Sequence, residues 1–159
     1  MDNIVFGVAI ILAFVLPVYY FIANKNKESK AVKKSLNGFL EPLGLKVGEM
    51  EILGSKIIGL DENKSHLYYY QVAKTQIPPV IVALNDFSSC RIQAFTANAH
   101  SGSVSSGLIQ KVEIVFEPKN KNGAVHHIPV FDIYKDMQLQ GELQMAEKWK
   151  NKVNALFVP

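Results

Sequence analysis

The groups in this 159-residue chain that can do acid–base, nucleophilic or metal chemistry are four histidines, a single cysteine and a scatter of carboxylates. His126-His127 places two imidazoles side by side in an apparent strand, where neighbouring side chains point to opposite faces, so the pair is poorly placed to hold one metal ion. His66 and His100 lack an acid-plus-histidine spacing, and there is no HExxH. Cys90 sits beside Ser88, Ser89 and Arg91, and a neighbouring cation can activate a thiol. A strand-borne cysteine on an apolar face is, however, ordinarily an inert core residue. With one cysteine, no intramolecular disulfide and no cysteine-based metal cluster can form. Asp61-Glu62 reads as a turn pair, and Asp132 and Asp136 as turn and helix-start acids. No P-loop, GxGxxG, GxSxG or paired-carboxylate signature occurs. The chain reads as a non-enzyme without a cofactor or metal.

The elements that would carry these residues begin with an uncharged run, Ile4 to Ala23. A helix of that length spans the roughly 30 Å hydrocarbon layer of a bilayer. Met1-Asp2-Asn3 carries no basic residue, the apolar run is long, and Phe21 would stand three residues before a cut after Ala23. An uncleaved anchor therefore fits better than a signal peptide.

Lys25, Lys27, Lys30, Lys33 and Lys34 follow at once, opposed by Glu28 alone, for a net +4. From Ser35 onward twelve basic side chains face twelve acidic ones, so the overall +3 belongs to the juxtamembrane stretch. The positive-inside rule puts the N-terminus outside and the large domain in the cytoplasm at the inner (plasma) membrane. The five lysines are placed to contact anionic headgroups, and Tyr19, Tyr20 and Phe21 to sit at the interface. Gly7, Ala9 and Ala13 offer a small-residue face for helix packing in the bilayer. A neutral remainder argues against a nucleic-acid surface.

Residues 24–43 read as a basic juxtamembrane helix or linker with an apolar stripe at Val32, Leu36, Phe39 and Leu40, stopped by Gly38, Pro42 and Gly44. Beyond it the period changes to two. Ser55–Leu60 and Ser65–Lys74 form an expected hairpin about Asp61-Glu62-Asn63-Lys64, with Met50, Ile52 and Leu53 in a short strand before it. Val80–Leu84 and Ser89–Ala97 come next, the latter with Cys90, Ile92, Ala94 and Thr96 inward. Asn98–Gly107 reads as a flexible connector. Leu108–Phe116 and Val125–Ile133 then pair about Asn122-Gly123, the alternate residues from Leu108 to Phe116 facing the core. Leu139–Phe157 carries a helical stripe in which Leu143, Ala146, Trp149, Val153 and Leu156 are expected to pack on the sheet.

The predicted class is α+β. A transmembrane helix (1–23) and the juxtamembrane segment (24–43) precede a cytoplasmic domain (44–159). That domain is an antiparallel sheet or partly open barrel of about six to seven strands closed by a C-terminal amphipathic helix. Ile57–Lys74, Val80–Ala97 and Leu108–Ile133 as paired strands before the Leu139–Phe157 helix resemble the pleckstrin-homology-like fold. IIGLDENKSHLYYY and VIVALNDFSSCRIQ resemble segments of small single-pass bacterial membrane proteins.

The resemblance implies binding of lipids, peptides or protein partners. The loop that is basic in phosphoinositide-binding members is here Asp61-Glu62-Asn63-Lys64, net −1. The expected function is a membrane-tethered interaction or scaffold module with a protein partner and the bilayer as its contacts. An accessory subunit packed through its membrane helix is the alternative.

Overall fold

The computed structural model describes residues 15, 34–72, 77–96, 108–136 and 138–157. The Ile4–Ala23 span apart from Val15, the interfacial Tyr19, Tyr20 and Phe21, the small residues Gly7, Ala9 and Ala13, and Lys25, Lys27, Lys30 and Lys33 lie outside them, as does the whole Asn98–Gly107 connector. Among the described residues no helix is long and apolar enough to cross a membrane.

The chain divides into two units, Met1–Leu45 and Lys46–Pro159. In the first, residues 34–40 are helical, with Leu36 and Leu40 buried and Lys34 exposed. A 3-10 turn, Glu41–Leu43, follows. Gly44 ends it at φ +71, a left-handed conformation that suits glycine, and its N–H donates to the Glu41 carbonyl at 2.9 Å. Sequence chemistry predicted this stop.

The second unit holds seven strands: β1 (Val47–Leu53), β2 (Lys56–Asp61), β3 (His66–Gln71), β4 (Val80–Ala83), β5 (Phe87–Thr96), β6 (Ile109–Pro118) and β7 (His126–Asp132). A C-terminal helix, Glu142–Asn154, completes it. All pairings are antiparallel between sequence neighbours. The strands form two sheets, β1-β2-β3-β4 and β5-β6-β7, not the single sheet or barrel expected. The division falls at a 3-10 turn, Leu84–Asp86, where the Asn-Asp pair lifts the chain out of one ladder before Phe87 starts the other.

Ile58, Leu60, Leu67, Tyr69 and Val82 from the first sheet share a core with Cys90, Val112, Ile114, Phe116, Ile128 and Val130 from the second. The C-terminal helix adds Met145, Ala146, Trp149 and Val153. In the middle of β6 alternation picks out Val112, Ile114 and Phe116 as the core face, although Glu113 and Val115 between them are buried as well. It fails at the ends of β5 and β6, where Ala94, Thr96 and Leu108 are exposed.

The helix is shorter than its stripe suggests. Gly141 at φ +125 precludes an earlier start, and the chain leaves the helix after Asn154. Leu156 is consequently 38% exposed and not part of the expected packing face. Met145 and Phe157 pack on the core instead, with Leu143 partly buried beside them.

In β2 every residue is buried, so a simple inside/outside alternation does not describe it. Ile57 and Tyr68 are buried on the face away from the core cluster. Gly59 is directly opposite Tyr68, whose ring lies over it. A β-carbon at Gly59 would strike that ring and come within 2.6 Å of the Glu49 carbonyl oxygen. The missing side chain is what allows the tyrosine to cross the strand. Gly59→Ala should therefore lower folding stability by about 1–3 kcal/mol through overpacking, read as a lower urea midpoint in the full-length chain.

Candidate functional site

Two arrangements stand out once the fold is assembled: a buried ion cluster and a partly closed sheet edge. The cluster begins at Lys56, the first residue of β2, which is only 3% exposed. Its Nζ lies 2.8 Å from Asp136 Oδ2 and 2.9 Å from Glu142 Oε1. Asp136 belongs to the turn after β7, closed by its own N–H donating to the Asp132 carbonyl at 2.7 Å and by the Asp132 N–H donating to Asp136 Oδ2 at 3.0 Å.

Glu142 opens the helix, where a carboxylate is favoured by the exposed N–H groups of the first turn. Its second oxygen accepts the Gln140 N–H at 2.6 Å. Burial alone would push the Glu142 carboxyl up. The hydrogen bonds from Lys56 and Gln140 outweigh that and hold it below the ordinary glutamate range. Asp136 and Glu142 stand 80 and 86 residues away from Lys56 in the chain. No spacing motif reveals such a cluster. The only sequence signal is a lysine heading the uncharged run 57–60 of β2.

The edge belongs to β5, the outer strand of its sheet. Asn154, the last helical residue, turns its carboxamide onto Cys90. The Cys90 N–H donates to Asn154 Oδ1 at 2.8 Å, and Asn154 Nδ2 donates to the Cys90 carbonyl at 2.8 Å. One side chain thus supplies both bonds that a further strand would make there. Because outward and inward backbone groups alternate along an antiparallel edge strand, Ile92 and Ala94 face the same way as Cys90.

Asn154 does not reach them. Beside this stretch Phe95 is 40% exposed, with Lys111 Nζ 5.8 Å from its ring centroid. Arg91 donates to Glu117 at 3.0 Å and to Gln93 at 3.2 Å. Two of the other three sheet edges are blunted differently. β4 is four residues long behind Pro78-Pro79, and β7 carries Pro129, which has no N–H.

The residues singled out for chemistry are not gathered together. Cys90 is buried with its thiol against the Lys150 carbonyl, and burial, opposed by the Lys150 charge, pushes its pKa up to about 12. It is not a ready nucleophile. His126 and His127 do point apart. His126 lies against Phe87, and burial followed by the His127 charge holds its pKa below the ordinary value. His127 Nδ1 stands 2.9 Å from the buried Glu113.

His66 Nδ1 pairs with Ser65 Oγ, whereas His100 lies outside the described residues. Asp61 is no exposed turn acid. It is 2% exposed and accepts the backbone N–H groups of Ser65 and His66, both at 2.7 Å, plus the Ser65 hydroxyl at 2.9 Å. Among the described residues no three histidine, cysteine or acidic side chains come together to hold a metal.

The cluster makes stability pH-dependent with a definite sign. The Glu142 carboxyl is depressed in the folded state, so its contribution is full above the unfolded value near 4.5 and is lost as pH falls through the lower folded value. The urea midpoint of the full-length chain should fall on acidification below that value, and Glu142→Gln should flatten this dependence. Lys56→Met, which leaves two carboxylates without their cation, should cost about 3–5 kcal/mol at neutral pH in the same denaturation assay.

Against known proteins, the chain matches no family model, no curated sequence and no solved structure.

Proposed function

We propose that this chain is a membrane-tethered, non-enzymatic interaction module of pleckstrin-homology-like architecture, held at the cytoplasmic membrane face. It receives an extended segment of a protein partner along β5. The observation that carries this reading is the stretch of the β5 edge beyond Asn154 that is open among the described residues, with outward backbone groups at Ile92 and Ala94 beside the half-exposed Phe95. Strand addition to such an edge gains affinity from main-chain hydrogen bonds and specificity from the flanking side chains.

Support for the architecture comes from the order of parts: a four-stranded meander, a three-stranded meander and a terminal helix packed on the latter. Support for the tether comes from the apolar Ile4–Ala23 run and the five lysines behind it. Confinement at the membrane raises the effective concentration of the module near membrane-bound partners without any added contact.

Ala94→Pro is the discriminating variant. Its lost N–H faces away from β6, so the internal ladder keeps its bonds while the edge loses a donor. Full-length protein purified in mild detergent should co-purify a specific partner, and the variant should lose at least tenfold of that recovery at unchanged circular dichroism. Equal recovery by both proteins overturns the edge as the binding site. Replacing Ile4–Ala23 by an unrelated apolar helix should leave recovery intact. Loss in that exchange favours packing through Gly7, Ala9 and Ala13 and the accessory-subunit alternative.

A further inference from the structure

Among the described residues, the contacts around Lys56 leave polar groups without a protein partner. An ammonium carries three N–H donors; Lys56 donates to Glu142 Oε1 at 2.9 Å, pairs ionically with Asp136 Oδ2 at 2.8 Å and has its Nζ 5.7 Å from the Phe131 ring centroid. Asp136 Oδ2 already faces both the Lys56 ammonium and the donating Asp132 N–H, whereas its other oxygen has no protein donor among the described residues. Tyr69, on the inward face of β3, is 6% exposed, and its buried hydroxyl has no protein partner there either. An unpaired buried hydroxyl costs about 1–3 kcal/mol, so such groups ordinarily find a partner.

These three groups border one crevice. Lys56, Tyr69 and Asp136 line it together with Gln71, Val130 and Phe131, and its volume is about 30 Å³. That is far below the roughly 300 Å³ at which small-molecule pockets begin. It exceeds the roughly 10–15 Å³ that one water requires, and ordered internal waters typically make about three hydrogen bonds. The nearby charges of Asp136 and Glu142 also bear on the Tyr69 hydroxyl: burial first, then these carboxylates, push its pKa upward. The phenol therefore keeps its proton and remains a donor.

We propose that this crevice is a specific site for one ordered water, which accepts from the Tyr69 hydroxyl and the third Lys56 N–H and donates to Asp136 Oδ1. The water extends the ion cluster from β2, the turn after β7 and the helix start to β3. It is a site for water, because its size excludes an organic ligand and Tyr69, Lys56 and Asp136 among its lining residues supply two donors and one acceptor.

The test is a crystal structure of the full-length chain at a resolution that orders internal water, paired with the Tyr69→Phe variant. The expected result is one compact peak within hydrogen-bond distance of Tyr69 Oη, Lys56 Nζ and Asp136 in the parent protein, and its loss or displacement in the variant. A dry crevice overturns the proposal. So does a peak whose distances and strength fit a cation, or one that keeps its position and occupancy in Tyr69→Phe. If the variant does not fold, the parent map decides alone, since the three contacts are either present or not.

Discussion

A buried ammonium cannot be left without anionic partners, and this requirement at Lys56 constrains much of the second unit. Desolvating an ammonium costs several kcal/mol, which is offset only by well-placed carboxylates with their own remaining lone pairs satisfied. Here the carboxylates come from the turn after β7 and from the first residue of the helix. The pairing therefore fixes where β7 must end, how the connector must turn and where the helix must begin. Trp149 makes a comparable demand farther along the helix. Its indole N–H, carried into the interior by a side chain 1% exposed, donates to Glu51 Oε2 of β1 at 2.9 Å. These two polar contacts join the first sheet to a helix whose apolar face packs on the second.

Local signals in the sequence were sufficient for most elements. Alternation at Val112, Ile114 and Phe116 marks the core face of β6, and Asn122-Gly123 sits in the β6–β7 turn. The helical spacing of Ala146, Trp149 and Val153 identifies three buried positions. Strand existence was legible because each strand is written in a contiguous run of residues.

The site was much less legible, for the same physical reason in reverse. Lys56, Asp136 and Glu142 meet only after seven strands have been laid down, and only Lys56, ahead of the uncharged run 57–60, stands out from its neighbours. Asn154 looks like an ordinary polar residue near a helix end, although its carboxamide does the work of a strand at Cys90. Asp61 illustrates the intermediate case. Its turn role follows from residue type, whereas its burial follows from the packing around β2 and β3. The division into two sheets was hidden because three residues, Leu84–Asp86, decide it, and no periodicity registers so short an interruption.

The link between Asn154 and Cys90 also sets an order of events during synthesis. Its two ends lie 64 residues apart, while Glu142 lies 86 residues beyond Lys56 and Trp149 lies 98 beyond Glu51. Every one of these closures depends on the Glu142–Asn154 helix, which is synthesised after all seven strands. Until it emerges, the nascent chain displays an uncapped β5 edge and an ammonium without its Glu142 partner. Contacts of such long sequence separation form late because the intervening chain must first be ordered. The same carboxamide that finishes the native sheet is therefore absent during the interval when an open edge is most prone to pair with another chain, making this domain dependent on rapid docking of the Glu142–Asn154 helix.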